Sequence, residues 1–312
     1  MQLSQAQRNV AKLLETFSLC ALAFGLLTGF GPYRPAGAGS GALGVGDAQV
    51  ATGVGSAALY ANPAGMSQVQ HGVIETGFAR SGQAGSGAPF TTYVDSTSSW
   101  GLAAGVGYAR ELGWTVDAPA RAGQDLRLGL SAGGQSDAGK LMLGGSARYL
   151  SAEQVGKPAV AGWTADFGAV VGLQDFRIGA VMRNAMTLDA RESPRRIATG
   201  VGYVGQHVVV EAGGSWGVAN GDALPADAAT GQSYRAGGAV QFGQEGLQLR
   251  GGYQFDQIVR GVPTHHWVCG GLSWRTPRVG FDLSGAVDAA GDHAAVVSVS
   301  LSFLIPYETD GP

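Results

Sequence analysis

Charged side chains recur at alternate positions through most of the chain, and they are the residues with the widest choice of chemistry. Alternate residues of a β-strand share one face, so a charge at every second position lines a single surface. Nine of these charges are basic and six are acidic. They are Glu75, Asp125, Arg127, Lys140, Arg148, Asp166, Arg177, Arg183, Arg196, Glu211, Arg235, Arg250, Asp256, Arg278 and Asp282.

A surface with this many charges must be hydrated or paired when it faces the inside of a protein, because an isolated charge in a low-dielectric interior is very costly. One interpretation is a network of cross-strand ion pairs that fills and stiffens the interior. The other is a water-filled, anion-selective path, since the basic groups outnumber the acidic ones. The sequence leaves both interpretations open.

The histidines give no sign of an enzyme. His265–His266 and Asp292–His293 are neighbours in sequence, and neighbours on a strand point to opposite faces. No side chain is marked as a nucleophile, and no metal-ligand spacing, phosphate loop or cofactor motif is present. We interpret the Gly-x-Gly occurrences as residues that ease strand curvature. The prediction is a non-enzymatic protein with no catalytic residue, metal site or cofactor.

A segment near the end of the chain, His293 to Phe303, shows which elements carry the charges. Its sequence, HAAVVSVSLSF, alternates apolar residues with serines from Val297 onward. This period of two indicates a strand with one apolar and one polar face. A strand of this kind needs partners along both backbone edges, and the same pattern recurs upstream, so a closed antiparallel sheet is the simplest arrangement.

About fourteen such segments follow one another from residue 71 to residue 304. Lengths of roughly ten residues match tilted strands that cross a bilayer, whereas strands of a soluble sandwich are usually shorter. Large aromatic residues such as Trp163 and Tyr253 fall on the apolar face near segment ends, where membrane barrels carry aromatic girdles. The sequence therefore predicts an all-β fold, a transmembrane antiparallel β-barrel of about fourteen strands.

Composition agrees with this fold class. The chain is 45% hydrophobic and 14% charged, with a formal net charge of -3. A nucleic-acid-binding protein needs a basic surface for phosphate contacts, so this balance excludes nucleic acid as a partner. Two cysteines, Cys20 and Cys269, are too few for a disulfide framework.

The N-terminal part divides into two segments. Residues 1–38 contain Arg8 and Lys12, a short apolar run and the sequence Ala36-Gly37-Ala38, which are the three parts of a secretory signal peptide. Residues 39–70 are rich in glycine and alanine and do not alternate, so we interpret them as a plug inside the barrel, with a flexible linker as the alternative. The barrel is predicted for residues 71–304, and residues 305–312 form a C-terminal tail.

The plug segment ends in a predicted turn, Asn62-Pro63-Ala64-Gly65. With the preceding Ala58-Leu59-Tyr60-Ala61, this turn resembles the motif that FadL-type and PorV-type outer-membrane β-barrels carry shortly after the leader. The resemblance implies a fourteen-stranded barrel with an N-terminal plug formed around Asn62, Pro63, Ala64 and Gly65. The chain lacks the long extracellular loops of FadL transporters.

Two functions follow as expectations from the resemblance. The first is a passive channel for small solutes, including hydrophobic ones, in the outer membrane of a Gram-negative bacterium. The second is a scaffold or anchoring subunit of a secretion or surface-motility machine. The expected partners are outer-membrane lipid, the barrel-insertion machinery and other subunits of an envelope machine. The resemblance also implies that Phe303, the aromatic residue of the last strand, is the assembly signal.

Overall fold

The structure is a computed structural model of the chain. It describes residues 39–81, 86–113, 121–136, 139–154, 159–186, 195–218, 231–243, 246–257, 264–290 and 295–306. The predicted signal peptide, residues 1–38, and residues 307–312 of the predicted tail lie outside this part of the chain.

Fourteen antiparallel strands form a closed barrel, which confirms the predicted fold class and strand number. The strands are β1 His71–Ser81, β2 Ser86–Asp95, β3 Leu102–Gly113, β4 Arg121–Ser136, β5 Gly139–Gln154, β6 Val160–Leu173, β7 Phe176–Arg183, β8 Arg196–Val204, β9 Val208–Gly217, β10 Gln232–Phe242, β11 Leu247–Gln257, β12 His265–Arg275, β13 Val279–Asp288 and β14 Ala295–Pro306.

The barrel closes where the last strand meets the first. Each strand pairs with its neighbour in sequence, and β14 pairs with β1 from Pro306 opposite His71 to Val296 opposite Ser81. Closure leaves no unpaired sheet edge. Ile305 and Pro306, which the sequence analysis places in the tail, belong to β14 and extend the barrel by two residues beyond 304.

The two faces of the wall differ as the alternation predicts. Outward side chains are large and apolar, for example Leu130, which is 70% exposed, and Phe167, which is 53% exposed. Inward side chains are small or polar, and Ser298 and Ser300 are each only 2% exposed. A barrel whose outside is apolar and whose inside is polar has its apolar face suited to lipid.

The two ends of the barrel have connections of different length. At the end where β1 begins and β14 stops, strands are joined by short turns such as Gln174–Asp175 and residues 276–278. We call this the turn end. At the opposite end, the loop end, the connections include residues 184–195 and 218–231. In outer-membrane barrels the short turns face the periplasm and the longer loops face outward.

Residues 39–70, which we call the inner segment, lie inside the barrel. They form helix α1 Gly39–Gly44, helix α2 Gly55–Ala61 and a 3-10 helix, Pro63–Gln68. Helix α1 packs against β11 to β14, α2 against β1 to β3, and the 3-10 helix against β3 to β6. Within the described residues, no helix has the length and apolar character needed to cross a bilayer.

Small apolar clusters join the inner segment to the wall. Leu59 and Met66, both fully buried, pack with Val73 and Val94. Val50 packs between residues of β7 and β8, and Leu43 packs against Trp267 of β12. Apolar burial and close packing therefore hold the inner segment at several points around the wall.

Candidate functional site

The lumen is the candidate site, and inward-facing glycines determine how closely the inner segment approaches its wall. A Cβ atom at Gly144 of β5 would lie 2.5 Å from the amide nitrogen of Ala64. A Cβ atom at Gly179 of β7 would collide with the backbone of Val50. Further inward glycines that contact the inner segment are Gly107, Gly129, Gly168, Gly200, Gly202, Gly237, Gly252 and Gly271.

These contacts change the interpretation of the Gly-x-Gly pattern. Glycine within a strand marks a place where another backbone comes close, and here that backbone is the inner segment. The signal is present in the sequence, because these glycines share the parity of the charged residues, as Gly144 does with Lys140 and Arg148.

Asn62 anchors the inner segment to β6 and β7. Its side-chain nitrogen donates hydrogen bonds to the carbonyl oxygens of Val50 (2.8 Å), Ala169 (3.2 Å) and Ala180 (3.3 Å). Its oxygen accepts the backbone N–H of Ala64 at 3.2 Å, which caps the 3-10 helix. The predicted turn at Asn62-Pro63-Ala64-Gly65 is thus the start of this helix, and its residues are buried against the wall.

Glu211 on β9 holds the middle of the inner segment. Its carboxylate accepts the backbone N–H groups of Val50 (2.6 Å), Ala51 (3.1 Å) and Thr52 (2.8 Å), and also the Thr52 hydroxyl at 2.8 Å. Successive backbone N–H groups of this kind form a concave anion-binding site, or nest. The nest binds a carboxylate of the wall. The sequence does not reveal this interaction, because Glu211 and Val50 are 161 residues apart.

Glu75 on β1 binds helix α2 of the inner segment. It accepts a short hydrogen bond from Ser56 of helix α2 and a 2.7 Å hydrogen bond from Ser300 of β14. The Ser300 hydroxyl also lies 2.5 Å from that of Ser40 in helix α1. A chain of polar contacts therefore connects both helices of the inner segment to β1 and β14, the two strands that close the barrel.

A compact ion-pair network occupies the wall between β4 and β6. Arg127 contacts Asp125 at 3.1 Å and Asp166 at 3.3 Å, and Arg148 contacts Asp125 at 2.7 Å. The Arg127 guanidinium also lies 4.7 Å from the ring centre of Tyr60 in helix α2, which is a cation–π distance. Two arginines and two aspartates balance here, so this part of the lumen carries no net charge.

A second ion pair lies on the opposite side of the lumen. Arg250 of β11 contacts Asp282 of β13 at 2.5 Å, and Arg275 lies 3.9 Å from the same carboxylate. The Arg250 guanidinium packs directly beside Gly41 of helix α1. This ion pair therefore lies in the part of the wall against which helix α1 packs.

Three inward arginines have a different environment. Arg183 donates to the carbonyl oxygen of Ala61 at 2.7 Å, and Arg196 donates to the hydroxyl of Ser215 at 3.0 Å. Arg235 donates to the hydroxyl of Ser233 at 3.2 Å. Among the described residues, none of these three has a carboxylate oxygen within 4.0 Å.

Asp256 of β11 is buried near these arginines. It accepts hydrogen bonds from Ser233 at 2.6 Å and from the Gln254 side chain at 2.5 Å. Both contacts lie on the inward face at the loop end of the barrel.

The remaining predicted lumen charges lie at the turn end, and Arg278 differs from the prediction. Lys140 donates to the carbonyl oxygen of Gln68 at 3.2 Å. Arg177 donates to the carbonyl oxygens of Gln174, in the preceding turn, and of Phe176, the first residue of its own strand. Arg278 is exposed in the turn between β12 and β13, because β13 begins only at Val279. The preceding Pro277 has no N–H to donate to a strand ladder, which favours a turn at this position.

A cavity of about 160 Å³ remains between the inner segment and the wall on the turn side of the lumen. Its lining includes residues from both, and all of the charged ones belong to the wall. The charged lining residues are Glu75, Glu211, Arg250, Arg275 and Asp282. The structure therefore leaves a small chamber, lined by both charged and apolar residues, between the inner segment and the turn end of the wall.

The histidines of β12 lie on opposite faces, as adjacency on a strand requires. His265 contacts Asp288 of β13 at 2.5 Å on the inward side, and His266 contacts the hydroxyl of Tyr253 at 2.5 Å on the outward side. Within the described ranges, no three histidine, cysteine, aspartate or glutamate side chains are grouped to hold a metal ion.

Phe303 lies on the outward face of β14. It is 44% exposed and sits opposite Ile74 of β1 and Val279 of β13. The strand continues for three residues beyond it, to Pro306. Its role as an assembly signal stays a prediction.

Comparison with solved structures identifies the fold. The chain is similar to the CymD monoaromatic hydrocarbon channel, with a TM-score of 0.68, 14% identity, and coverage of 90% of this chain and 100% of that chain. It is also similar to a Pseudomonas aeruginosa FadL homologue, with a TM-score of 0.59, 13% identity, and coverage of 89% and 100%. The toluene transporter TodX of P. putida gives a TM-score of 0.59, 14% identity, and coverage of 81% and 94%.

These likenesses show that the chain has the fold of a FadL-type outer-membrane β-barrel, and they confirm the predicted FadL-type resemblance at the level of fold. No protein-family model matches the sequence, and no curated protein matches it either.

Proposed function

We propose that the protein is a non-enzymatic channel in the outer membrane of a Gram-negative bacterium, through which small solutes diffuse passively. In this proposal the inner segment is the gate. Outer-membrane lipid surrounds the apolar outer face, and the barrel-insertion machinery recognises β14. The fold and the channels that share it support this function.

The observation that carries the proposal is the way the lumen is filled. Where the inner segment touches the wall, the wall residues are often glycines, as at Gly144, Gly179 and Gly252. At these glycine positions the wall has no side chain to fill the space if the inner segment moved. Displacing one segment of chain would therefore open a wide passage, whereas a barrel filled by its own wall side chains has no such route.

The solute class follows from the size of the chamber and from the related channels. CymD is described as a monoaromatic hydrocarbon channel and TodX as a toluene transporter. The 160 Å³ cavity of this chain has room for a solute of a few heavy atoms, and its lining is partly polar. We propose small solutes, including hydrophobic ones, as the cargo.

A reversible disulfide between Ser40 and Ser300 tests the gate. The two hydroxyl oxygens lie 2.5 Å apart, and a disulfide has an S–S distance of about 2.05 Å. The Ser40→Cys/Ser300→Cys double variant, oxidised, ties helix α1 to β14. We expect lower conductance in planar bilayers and slower swelling of proteoliposomes in neutral solutes, with both effects reversed by dithiothreitol.

The two single-cysteine variants are the matched controls, because each changes one side chain without a bridge. Buried Cys269 is kept in all variants. A wild-type protein that shows neither conductance nor solute uptake above empty liposomes contradicts the channel itself. Uptake that is identical in the oxidised and reduced double variant contradicts only the gate.

The membrane location has a separate test. After cell fractionation, the protein should be found with the outer membrane, and its electrophoretic mobility should change on heating, as expected for a closed barrel that unfolds. Recovery in the soluble fraction would contradict the location.

A second candidate function is an anchoring or scaffold subunit of an envelope machine. The hydrogen bonds that tie the inner segment to the wall at Glu75, Glu211 and Asn62 favour it, since a permanently closed barrel would need the same contacts. Purification from native membranes distinguishes the two, because a scaffold is recovered with partner subunits and does not conduct.

A further inference from the structure

We infer that Arg183, Arg196 and Arg235 form a binding site for a dianionic oxyanion, such as a phosphate group, on the loop side of the inner segment. The three residues project inward from β7, β8 and β10. The inference goes beyond the proposed channel, because it concerns binding and requires no transport.

Arg183 and Arg196 are direct cross-strand partners. They form the last residue pair of the β7–β8 ladder, so both side chains point to the same face of the wall. Like charges directly opposite each other on a sheet are destabilising. A carboxylate that bridged them would remove the conflict, but none lies within 4.0 Å of either guanidinium among the described residues.

Arg235 of β10 is connected to Arg196 of β8 through two serines. Ser215 of β9 and Ser233 of β10 are cross-strand partners. Arg196 donates to the Ser215 hydroxyl at 3.0 Å, and Arg235 donates to the Ser233 hydroxyl at 3.2 Å. The two guanidinium groups therefore converge on one pair of serines.

The acidic residues near the three arginines form no ion pair with them among the described residues. Asp47 is one of them, and its backbone carbonyl oxygen accepts from Arg235 at 3.5 Å. Asp166 contacts Arg127 and the backbone of Asn184. Glu211 is held by the nest of the inner segment, and Asp256 accepts hydrogen bonds from Ser233 and Gln254. The arginines Arg127, Arg148 and Arg250, in contrast, each have an aspartate partner.

Arg183 also has an unused donor. Its Nε atom is shielded from solvent and has no hydrogen-bond partner among the described residues. Leaving a buried charged donor without an acceptor is costly. An oxyanion between the guanidinium groups would supply this acceptor and neutralise the charges, and arginine's planar fork fits the oxygens of phosphate well.

The test is calorimetric titration of the full-length protein in detergent with inorganic phosphate, against chloride at equal ionic strength. We expect saturable phosphate binding by the wild type. The Arg196→Gln and Arg235→Gln variants should each weaken it on the order of tenfold or more, because each removes a charge-assisted contact. Arg196→Lys should retain part of the affinity, since it keeps the charge and loses the fork.

Arg177→Gln is the matched control, because Arg177 is an inward arginine at the turn end whose partners among the described residues are the carbonyl oxygens of Gln174 and Phe176. It should bind phosphate like the wild type. Heat-dependent gel mobility verifies that every variant is folded. No phosphate binding by the wild type, equal losses in Arg177→Gln and Arg196→Gln, or acetate binding as tight as phosphate binding would each overturn the inference.

Discussion

The side chain of Asn62 lies directly against Gly168 of β6, so closely that a Cβ atom on this glycine would collide with the Asn62 side-chain oxygen. The same asparagine donates to carbonyl oxygens of β6 and β7. The absence of a side chain at position 168 therefore allows the inner segment to hydrogen-bond to the wall.

Gly168→Ala should loosen the inner segment without opening the barrel. Overpacking a close contact of this kind costs about 1–3 kcal/mol, and the strand ladder of β6 does not depend on it. We expect a cysteine introduced at Ser67 of the 3-10 helix, which is 8% exposed, to react faster with a water-soluble maleimide in this background.

Gly251→Ala is the matched control, because a Cβ atom on this strand glycine of β11 would meet nothing within 4 Å. Its labelling rate should equal that of the parent protein. Equal labelling in both glycine variants would mean that the Asn62 contact does not hold the 3-10 helix.

Glu211→Gln should release the middle of the inner segment. The carboxylate accepts N–H groups of Val50, Ala51 and Thr52, and an amide replaces one acceptor oxygen with an N–H₂ group that faces these donors. Hydrogen bonds to a charged group contribute about 1.5–3 kcal/mol. We expect a higher open probability in single-channel recordings than for the wild type.

The control for this variant is Glu153→Gln, which removes an exposed carboxylate of β5. Both variants change the net charge equally, so a general electrostatic effect on conductance would appear in both. A change confined to Glu211→Gln would identify the contact with the inner segment as the cause.

Asp125→Asn should destabilise the barrel at the ion-pair network. It leaves Arg127 and Arg148, both largely buried, without their shared carboxylate, and breaking a buried ion pair typically costs about 3–5 kcal/mol. We expect a lower temperature for the heat-induced change in gel mobility.

A double-mutant cycle separates the pair from other effects. Arg148→Gln in the Asp125→Asn background should cost less than Arg148→Gln alone, because the partner is already lost. Strict additivity would show that the two residues do not interact.

The strands were predictable from the sequence because their signal is local. The alternation of apolar residues and serines in β14 depends only on which face a residue occupies, and the barrel requires that pattern in every strand. The ends of the strands are harder to predict, because they depend on the residues of the turns. Pro277 ends the ladder before β13, so Arg278 lies in a turn, while β14 runs on to Pro306.

The contacts of the site could not be predicted in the same way, because they join distant parts of the chain. Glu211 lies 161 residues from Val50, and Asn62 lies 107 residues from Ala169. The alternation in the sequence shows which face of the wall Glu211 and Ala169 each occupy. It does not show which part of the inner segment lies beside them. Inward glycines such as Gly144 carry the missing information, since they mark where a second backbone approaches.

Phe303→Ala should reduce the amount of folded protein in the outer membrane. The residue is an exposed aromatic of the closing strand, and the prediction is that the insertion machinery recognises it during assembly. Leu301→Ala is the matched control, because Leu301 occupies the same outward face of β14 and is 37% exposed. Removing residues 307–312 should have no effect.

Quantitative immunoblotting of outer-membrane fractions compares the three changes, and the heat-induced shift in gel mobility measures how much of each protein is folded. Normal levels of folded Phe303→Ala protein, or an equal loss in Leu301→Ala, would show that Phe303 is only one of several lipid-facing residues and carries no assembly signal.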